Sequence, residues 1–66
     1  MEIFVNGVPR EVAAGHSAYE LLADLGLLEK RLALEINREI VPRSAYAAHH
    51  LTPGDRVEIV HAIGGG

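Results

Sequence analysis

The chain has 66 residues, a formal net charge of −3 at pH 7 and no cysteine. A single domain of this size has little room for a deep active site. Its six Lys and Arg residues form no basic stripe that could bind a nucleic acid. Without cysteine it can have no disulfide or thiolate chemistry. No signal peptide or apolar run long enough to span a membrane is visible. We therefore expect a cytoplasmic carrier, modifier or binding module, with no nucleic acid and no membrane among its partners.

The first thirteen residues predict a β-hairpin. Residues 1–6 resemble a strand, and Asn6-Gly7 is typical of a type I′ turn, in which both positions need positive φ. Residues 8–13 would form the returning strand. Pro9 cannot donate a hydrogen bond, which favours an edge position for that strand.

A helix is predicted at residues 17–25. Ser17 and Glu20 have the spacing of a capping box, in which each side chain binds a backbone N–H of the other residue. Gly26 stands where a left-handed C-terminal cap is expected. The predicted apolar face consists of residues at helical spacing: Ala18, Leu21, Leu22 and Leu25.

The second half of the chain predicts three more strands. Residues 32–37 alternate between apolar and polar side chains, as a strand with one buried face does. A short strand at 39–42 would follow a tight turn at Asn37-Arg38, and residues 44–50 allow a short helical turn. Asp55 closes a turn at 52–55, which it should stabilise. The last strand is predicted at 56–63.

The element order β-β-α-β-β-β predicts an α+β fold in which a mixed sheet packs on one helix. The last strand could lie parallel to the first strand in the middle of the sheet, which is the β-grasp, or ubiquitin-like, architecture. We assign residues 1–63 to this domain and residues 64–66 to a flexible C-terminal glycine tail.

Three glycines in succession suit a tail that acts as a substrate. Without Cβ atoms, Gly64, Gly65 and Gly66 can thread a channel too narrow for other residues. A terminal carboxylate is ionised at neutral pH, so it must be activated before a nucleophile can attack it. The sequence has no phosphate-binding loop of the GxxxxGK[ST] kind. A separate enzyme would therefore use the ATP, and we expect no cofactor bound to this chain.

Over essentially its whole length, the sequence resembles the thiamine-pathway sulfur carrier proteins, the ThiS family. The features that carry the resemblance are, in chain order, Asn6-Gly7, Ser17 with Glu20-Leu21-Leu22, residues 34–37 (Leu-Glu-Ile-Asn), residues 40–43 (Ile-Val-Pro-Arg), residues 52–60 and the terminal glycines. The combination, in this order and at this length, is more specific than any one of its parts.

The resemblance implies a role for the tail and three partner enzymes. An E1-like adenylyltransferase would adenylate Gly66, and a sulfur-donating enzyme would help convert it to a thiocarboxylate. The thiocarboxylate would then donate sulfur to thiazole synthase, with Gly64 and Gly65 inserted into the partners' active sites. The chain would be a protein co-substrate and not an enzyme.

We expect partners to dock on the sheet face that the helix leaves open. If Ile3 and Val57 face the helix, strand alternation places Phe4, Val60 and Ala62 on the open face, together with Ala33. Phe4 beside these residues could form an apolar patch. Ile63, next to the tail, belongs to the same predicted partner-binding set.

The sequence also allows other functions. The same tail chemistry serves the small subunit of molybdopterin synthase, sulfur donors for tRNA thiolation and ubiquitin-like conjugation. A regulatory module of the TGS type shares the fold and a similar turn at residues 53–59, but it needs no glycine terminus. We expect no metal site, because His49 and His50 are adjacent and diverge, and because His16 and His61 are far from them in the sequence.

Overall fold

Among the residues that the structure describes, five strands and one α-helix follow one another in the order that the sequence predicts. The structure, a computed structural model, describes residues 1–61. Its elements are β1 (Glu2–Val5), β2 (Val8–Glu11), α1 (Ala18–Asp24), β3 (Leu32–Ile36), β4 (Glu39–Val41), a 3-10 helix (Arg43–Ala45) and β5 (Arg56–His61). The 3-10 helix accounts for the short helical turn predicted between β4 and the last turn.

Two tight turns with positive φ angles close the two hairpins. Asn6 has φ 49° and Gly7 has φ 81°, so the turn between β1 and β2 is left-handed at both positions, as predicted. Asn37 and Arg38 have φ 52° and 70° between β3 and β4. Asparagine tolerates this region better than most residues, which explains why it opens each turn.

The strand order in the sheet is β2-β1-β5-β3-β4, with β5 in the centre. β5 runs parallel to β1 and antiparallel to β3. Pro9 lies on the edge strand β2, where its missing N–H leaves no ladder bond unmade. This arrangement is the predicted β-grasp: the hairpin, the crossover helix and a last strand inserted beside the first.

The helix covers one face of the sheet. Glu20 N donates to the Ser17 Oγ at 3.0 Å, and Ser17 N donates to the Glu20 carboxylate at 3.0 Å, so the predicted capping box is confirmed. The buried helix residues Ala18, Leu21 and Leu22 belong to one core with buried strand residues, which include Ile3, Leu34, Ile36, Val41, Val57 and Ile59.

The crossover helix α1 has only seven residues. Within the described part of the chain, no helix has the length and apolar character that a membrane crossing requires.

Candidate functional site

The central strand β5 leads to the predicted functional tail. Its last described pairing joins Leu32 on β3 to His61. Strands on both sides hold β5, so the chain approaches its glycines from the middle of the sheet. The predicted site residues Ala62, Ile63, Gly64, Gly65 and Gly66 lie outside the described residues, and their roles stay predictions.

The side-chain carboxamide of Asn6 continues the hydrogen bonding of β5 beyond the end of β1. The Asn6 Oδ1 accepts from Ile59 N at 2.7 Å, and the Asn6 Nδ2 donates to Ile59 O at 3.2 Å. These are the two bonds that a neighbouring strand residue would make. Asn6 therefore substitutes for strand backbone, and the sequence identified it only as a turn residue.

A second polar cluster fixes the start of β5. The Asn37 Oδ1 accepts from Arg56 N at 2.9 Å, and the Asn37 Nδ2 donates to the Asp55 carboxylate at 2.9 Å. Asp55 also accepts from Thr52 N at 2.8 Å and from the Thr52 hydroxyl at 2.9 Å. The prediction that Asp55 stabilises its turn is confirmed.

Hydrogen bonding outweighs burial at Asp55. Burial by itself raises the pKa of this carboxyl group, but the Thr52 N–H, the Asn37 amide and the Thr52 hydroxyl together hold its pKa below the ordinary value of 3.8. Asp55 is therefore a charged structural anchor at neutral pH.

Phe4 and Val60 lie on the open face as predicted, but they do not form one patch. Phe4 pairs with Arg56, whose guanidinium carbon lies 5.6 Å from the centre of the Phe4 ring. Val60 is 58% exposed and pairs with Ala33 at the other end of β5. Arg56 and Val60 are four positions apart along the strand, roughly 13 Å at the usual rise per residue. The face therefore has two separate apolar areas.

Two carboxylates occupy the space between these areas. Glu35 on β3 and Glu58 on β5 are directly opposite in the antiparallel register, so both side chains point to the open face. Ile40, which is 71% exposed, pairs with Glu35 from β4. The sequence pattern does not reveal this pair, because only the strand register brings the two residues together.

The histidines do not converge. The His16 Nε2 lies 2.8 Å from the Asp24 carboxylate, and the His50 Nδ1 lies 3.0 Å from the Gly15 carbonyl oxygen. Among residues 1–61, no group of three or more potential ligands is placed to hold a metal ion. His16 thus bridges the two ends of α1, a structural role.

A shallow hollow of about 510 Å³ lies at the end of α1. Its lining residues come from the helix and the loop that follows: Ala23, Gly26, Leu28, Glu29 and Lys30. None of them belongs to the open face of the sheet. The hollow is therefore separate from the surface that precedes the tail.

Comparison with known proteins links this architecture to sulfur transfer. The model of the ThiS family matches residues 3–66. "Sulfur carrier protein ThiS" of Escherichia coli (strain K12) is 38% identical, with both chains covered completely. A crystal structure of the thiamine biosynthesis protein ThiS from Geobacter metallireducens superposes with a TM-score of 0.86 at 35% identity, again with both chains fully covered.

Longer proteins contain a similar unit. A thiazole synthase of Paramagnetospirillum magneticum is 42% identical over all 66 residues, and one of Magnetococcus marinus is 41% identical. The chain spans about 20% of the length of each of these synthases. In both proteins, a sequence alignable with this whole chain is part of the same polypeptide as the rest of the synthase.

Proposed function

The chain belongs to the ThiS family, and from this membership we propose that it is a sulfur carrier protein of thiamine biosynthesis whose sulfur is attached at Gly66. The observation that carries the proposal is the full-length match to "Sulfur carrier protein ThiS". A central strand that leads to three glycines agrees with it. The chain is a carrier and not a catalyst.

The chemistry requires activation of a poor electrophile. A Gly66 carboxylate oxygen attacks the α-phosphorus of ATP on the adenylyltransferase, and pyrophosphate leaves. A hydrosulfide ion supplied by the donor enzyme then attacks the acyl carbon, AMP leaves with the original oxygen, and the resulting thioacid loses its proton. The product is a thiocarboxylate in which sulfur has replaced one oxygen. ATP is bound by the partner, and we propose that the carrier itself holds no cofactor.

We propose thiazole synthase as the acceptor of the sulfur. The two thiazole synthases that contain a similar unit support this partner. The E1-like adenylyltransferase and the sulfur-donating enzyme follow from the family resemblance and from the chemistry above. A cytoplasmic location, without nucleic-acid or membrane partners, stays a prediction from the sequence.

The docking surface is proposed to include the exposed Val60 and the half-buried Phe4, followed by Ala62, Ile63, Gly64 and Gly65. Val60 lies on β5 one residue before His61, the last described position. A partner that takes up the tail from Gly66 inward would therefore approach the Val60 end of the open face first.

The rival functions are less well supported. Molybdopterin synthesis, tRNA thiolation and a TGS-type regulatory module would each be compatible with the fold alone. The matches to "Sulfur carrier protein ThiS" and to the thiazole synthases favour the thiamine pathway. We therefore retain thiazole formation as the proposed destination of the sulfur.

Intact mass spectrometry tests the carrier role. The protein is incubated with the adenylating enzyme of its own host, ATP and a sulfur donor. We expect a mass gain equal to the difference between sulfur and oxygen, located at Gly66 by peptide fragmentation. A chain that lacks Gly65 and Gly66 should keep its fold and gain no sulfur.

An unchanged mass would contradict the proposal if the same enzyme preparation modifies another carrier. In that case the glycine tail would be a passive end and the chain would be a binding module. If the mass does increase, sulfur transfer is tested by adding thiazole synthase to the sulfur-loaded protein and measuring the loss of the added mass.

A further inference from the structure

The Glu35–Glu58 pair is an unexplained like-charge contact in the middle of the sheet. The two residues are direct neighbours across β3 and β5, a position that places Cβ atoms about 4.5–5.5 Å apart. Two negative charges so close together destabilise a sheet. None of the ion pairs among the described residues includes either carboxylate, and the guanidinium of Arg56, two residues before Glu58 on the same face, lies over the Phe4 ring.

Charge on the open face is one-sided. The register places four acidic residues on it, Glu2 with Glu11 and Glu35 with Glu58. The nearby cations lie at the Phe4 end: the guanidinium of Arg56 lies over the Phe4 ring, and the N-terminal ammonium lies 3.4 Å from the Glu11 carboxylate. A complementary partner surface must therefore be basic where it meets the centre of this face.

The surroundings of the pair are apolar and exposed. Ile40 lies beside Glu35 and is 71% exposed, and Val60 follows Glu58 on the same face and is 58% exposed. Charged groups are more strongly attracted where apolar contacts exclude water. A partner that covers Ile40 and Val60 would therefore also exclude water from the carboxylates beside them.

We propose that Glu35 and Glu58 together receive a basic side chain of thiazole synthase, most suitably an arginine, when the carrier docks on its open face. A planar guanidinium presents several N–H donors in a fork and can bind two carboxylates at once. The neighbouring Ile40 and Val60 supply the apolar contacts of the same interface.

The occupant is thiazole synthase because of what the relatives contain. In two thiazole synthases, a unit similar to this whole chain is joined covalently to the synthase, which gives the two parts a high effective concentration for each other. This inference rests on the proposed function, since it assumes that the chain and the synthase work together. To that function it adds the two residues that recognise the synthase, Glu35 and Glu58, and the kind of side chain that they bind, a basic one.

Binding of the host's thiazole synthase to the full-length chain tests the proposal by isothermal titration calorimetry. Glu58→Gln removes one charge with little change in shape, and we expect it to weaken binding tenfold or more, in line with charge-assisted contacts. The matched control is Glu39→Gln, an equal charge change on β4 whose register partner is the buried Ile36. The control should bind within about twofold of the wild type.

A stability measurement separates docking from folding. Because Glu58→Gln relieves repulsion, its melting temperature should rise or stay level while its affinity for the synthase falls. Binding by the wild type should also weaken with added salt more steeply than binding by Glu58→Gln.

Three outcomes would overturn the proposal. The first is equal affinity of Glu58→Gln and the wild type for the synthase. The second is a loss of affinity that Glu39→Gln reproduces. The third is a wild type that acquires sulfur at Gly66 but does not bind the synthase, which leaves the carrier role standing. If the wild type acquires no sulfur under the conditions above, the proposed function itself fails, and the two failures are therefore distinguishable.

Discussion

Replacing Asn6 should reveal how much a single carboxamide contributes to the central strand. Asn6 makes two hydrogen bonds to the backbone of Ile59, at 2.7 and 3.2 Å, and Ile59 itself is buried. Each bond contributes about 0.5–1.5 kcal/mol net. Asn6→Ala also places an alanine at φ 49°, which adds about 1 kcal/mol of strain. The total loss should be roughly 2–4 kcal/mol, comparable with the whole stability of a domain of this size.

Two further variants separate the hydrogen bonds from the backbone strain. Asn6→Gly removes the bonds but accepts positive φ, so it should lose about 1–3 kcal/mol, less than Asn6→Ala by the strain. Asn6→Asp keeps an acceptor for Ile59 N but brings a second oxygen towards Ile59 O. It should therefore be less stable than Asn6→Gly at pH 7 and recover as the new carboxyl group is protonated near pH 4.

Urea unfolding followed by far-UV circular dichroism measures these differences, and melting temperatures should fall by about 4–8 °C per kcal/mol. Asn6→Gly with the stability of the wild type would refute the reasoning, because water would then be shown to replace the carboxamide without loss.

Three other changes probe the charge network, the core and the open face. Asp55→Asn should lower the free energy of unfolding by roughly 1–2 kcal/mol at pH 7. Because the folded-state pKa of Asp55 is lowered from 3.8, its contribution is present above pH 3.8 and is lost as the pH falls through the folded-state pKa. Urea unfolding curves of the wild type and Asp55→Asn should therefore converge in acid. Leu22→Ala removes a side chain that is 1% exposed and should lose about 2–5 kcal/mol; a cooperative melt close to that of the wild type would show that the helix does not need this contact. Phe4→Asp should weaken docking of partner enzymes in a pull-down while the circular dichroism spectrum is retained, whereas an unfolded variant would place Phe4 in the core.

Local patterns predicted most of the fold. The Asn6-Gly7 turn, the capping box of Ser17 and Glu20, and the alternation in β3 depend on residues close together in the chain, so the sequence displays them directly. The central position of β5 was also predicted, because a hairpin followed by a crossover helix leaves few places for a last strand.

Long-range side-chain contacts could not be predicted in the same way. Asn6 and Ile59 are 53 positions apart, and nothing near Asn6 distinguishes a turn residue from one that also completes a sheet. The Glu35–Glu58 pair depends on the register of β3 against β5, which one residue of slip would abolish. The separation of Phe4 from Val60 follows from the register of β1 against β5, whereas strand alternation alone allowed them to be neighbours.

The bonds of Asn6 also bear on how the protein ages. In a free chain, an Asn-Gly pair deamidates readily, because the glycine N–H can attack the side-chain carbonyl carbon and form a cyclic imide. In the folded sheet both polar atoms of the Asn6 carboxamide are hydrogen-bonded to Ile59, and these bonds must break before the side chain can rotate freely into that reaction. Deamidation at this site would therefore accumulate in molecules that have unfolded, and the fraction of aspartate at position 6 would record their past exposure to unfolding.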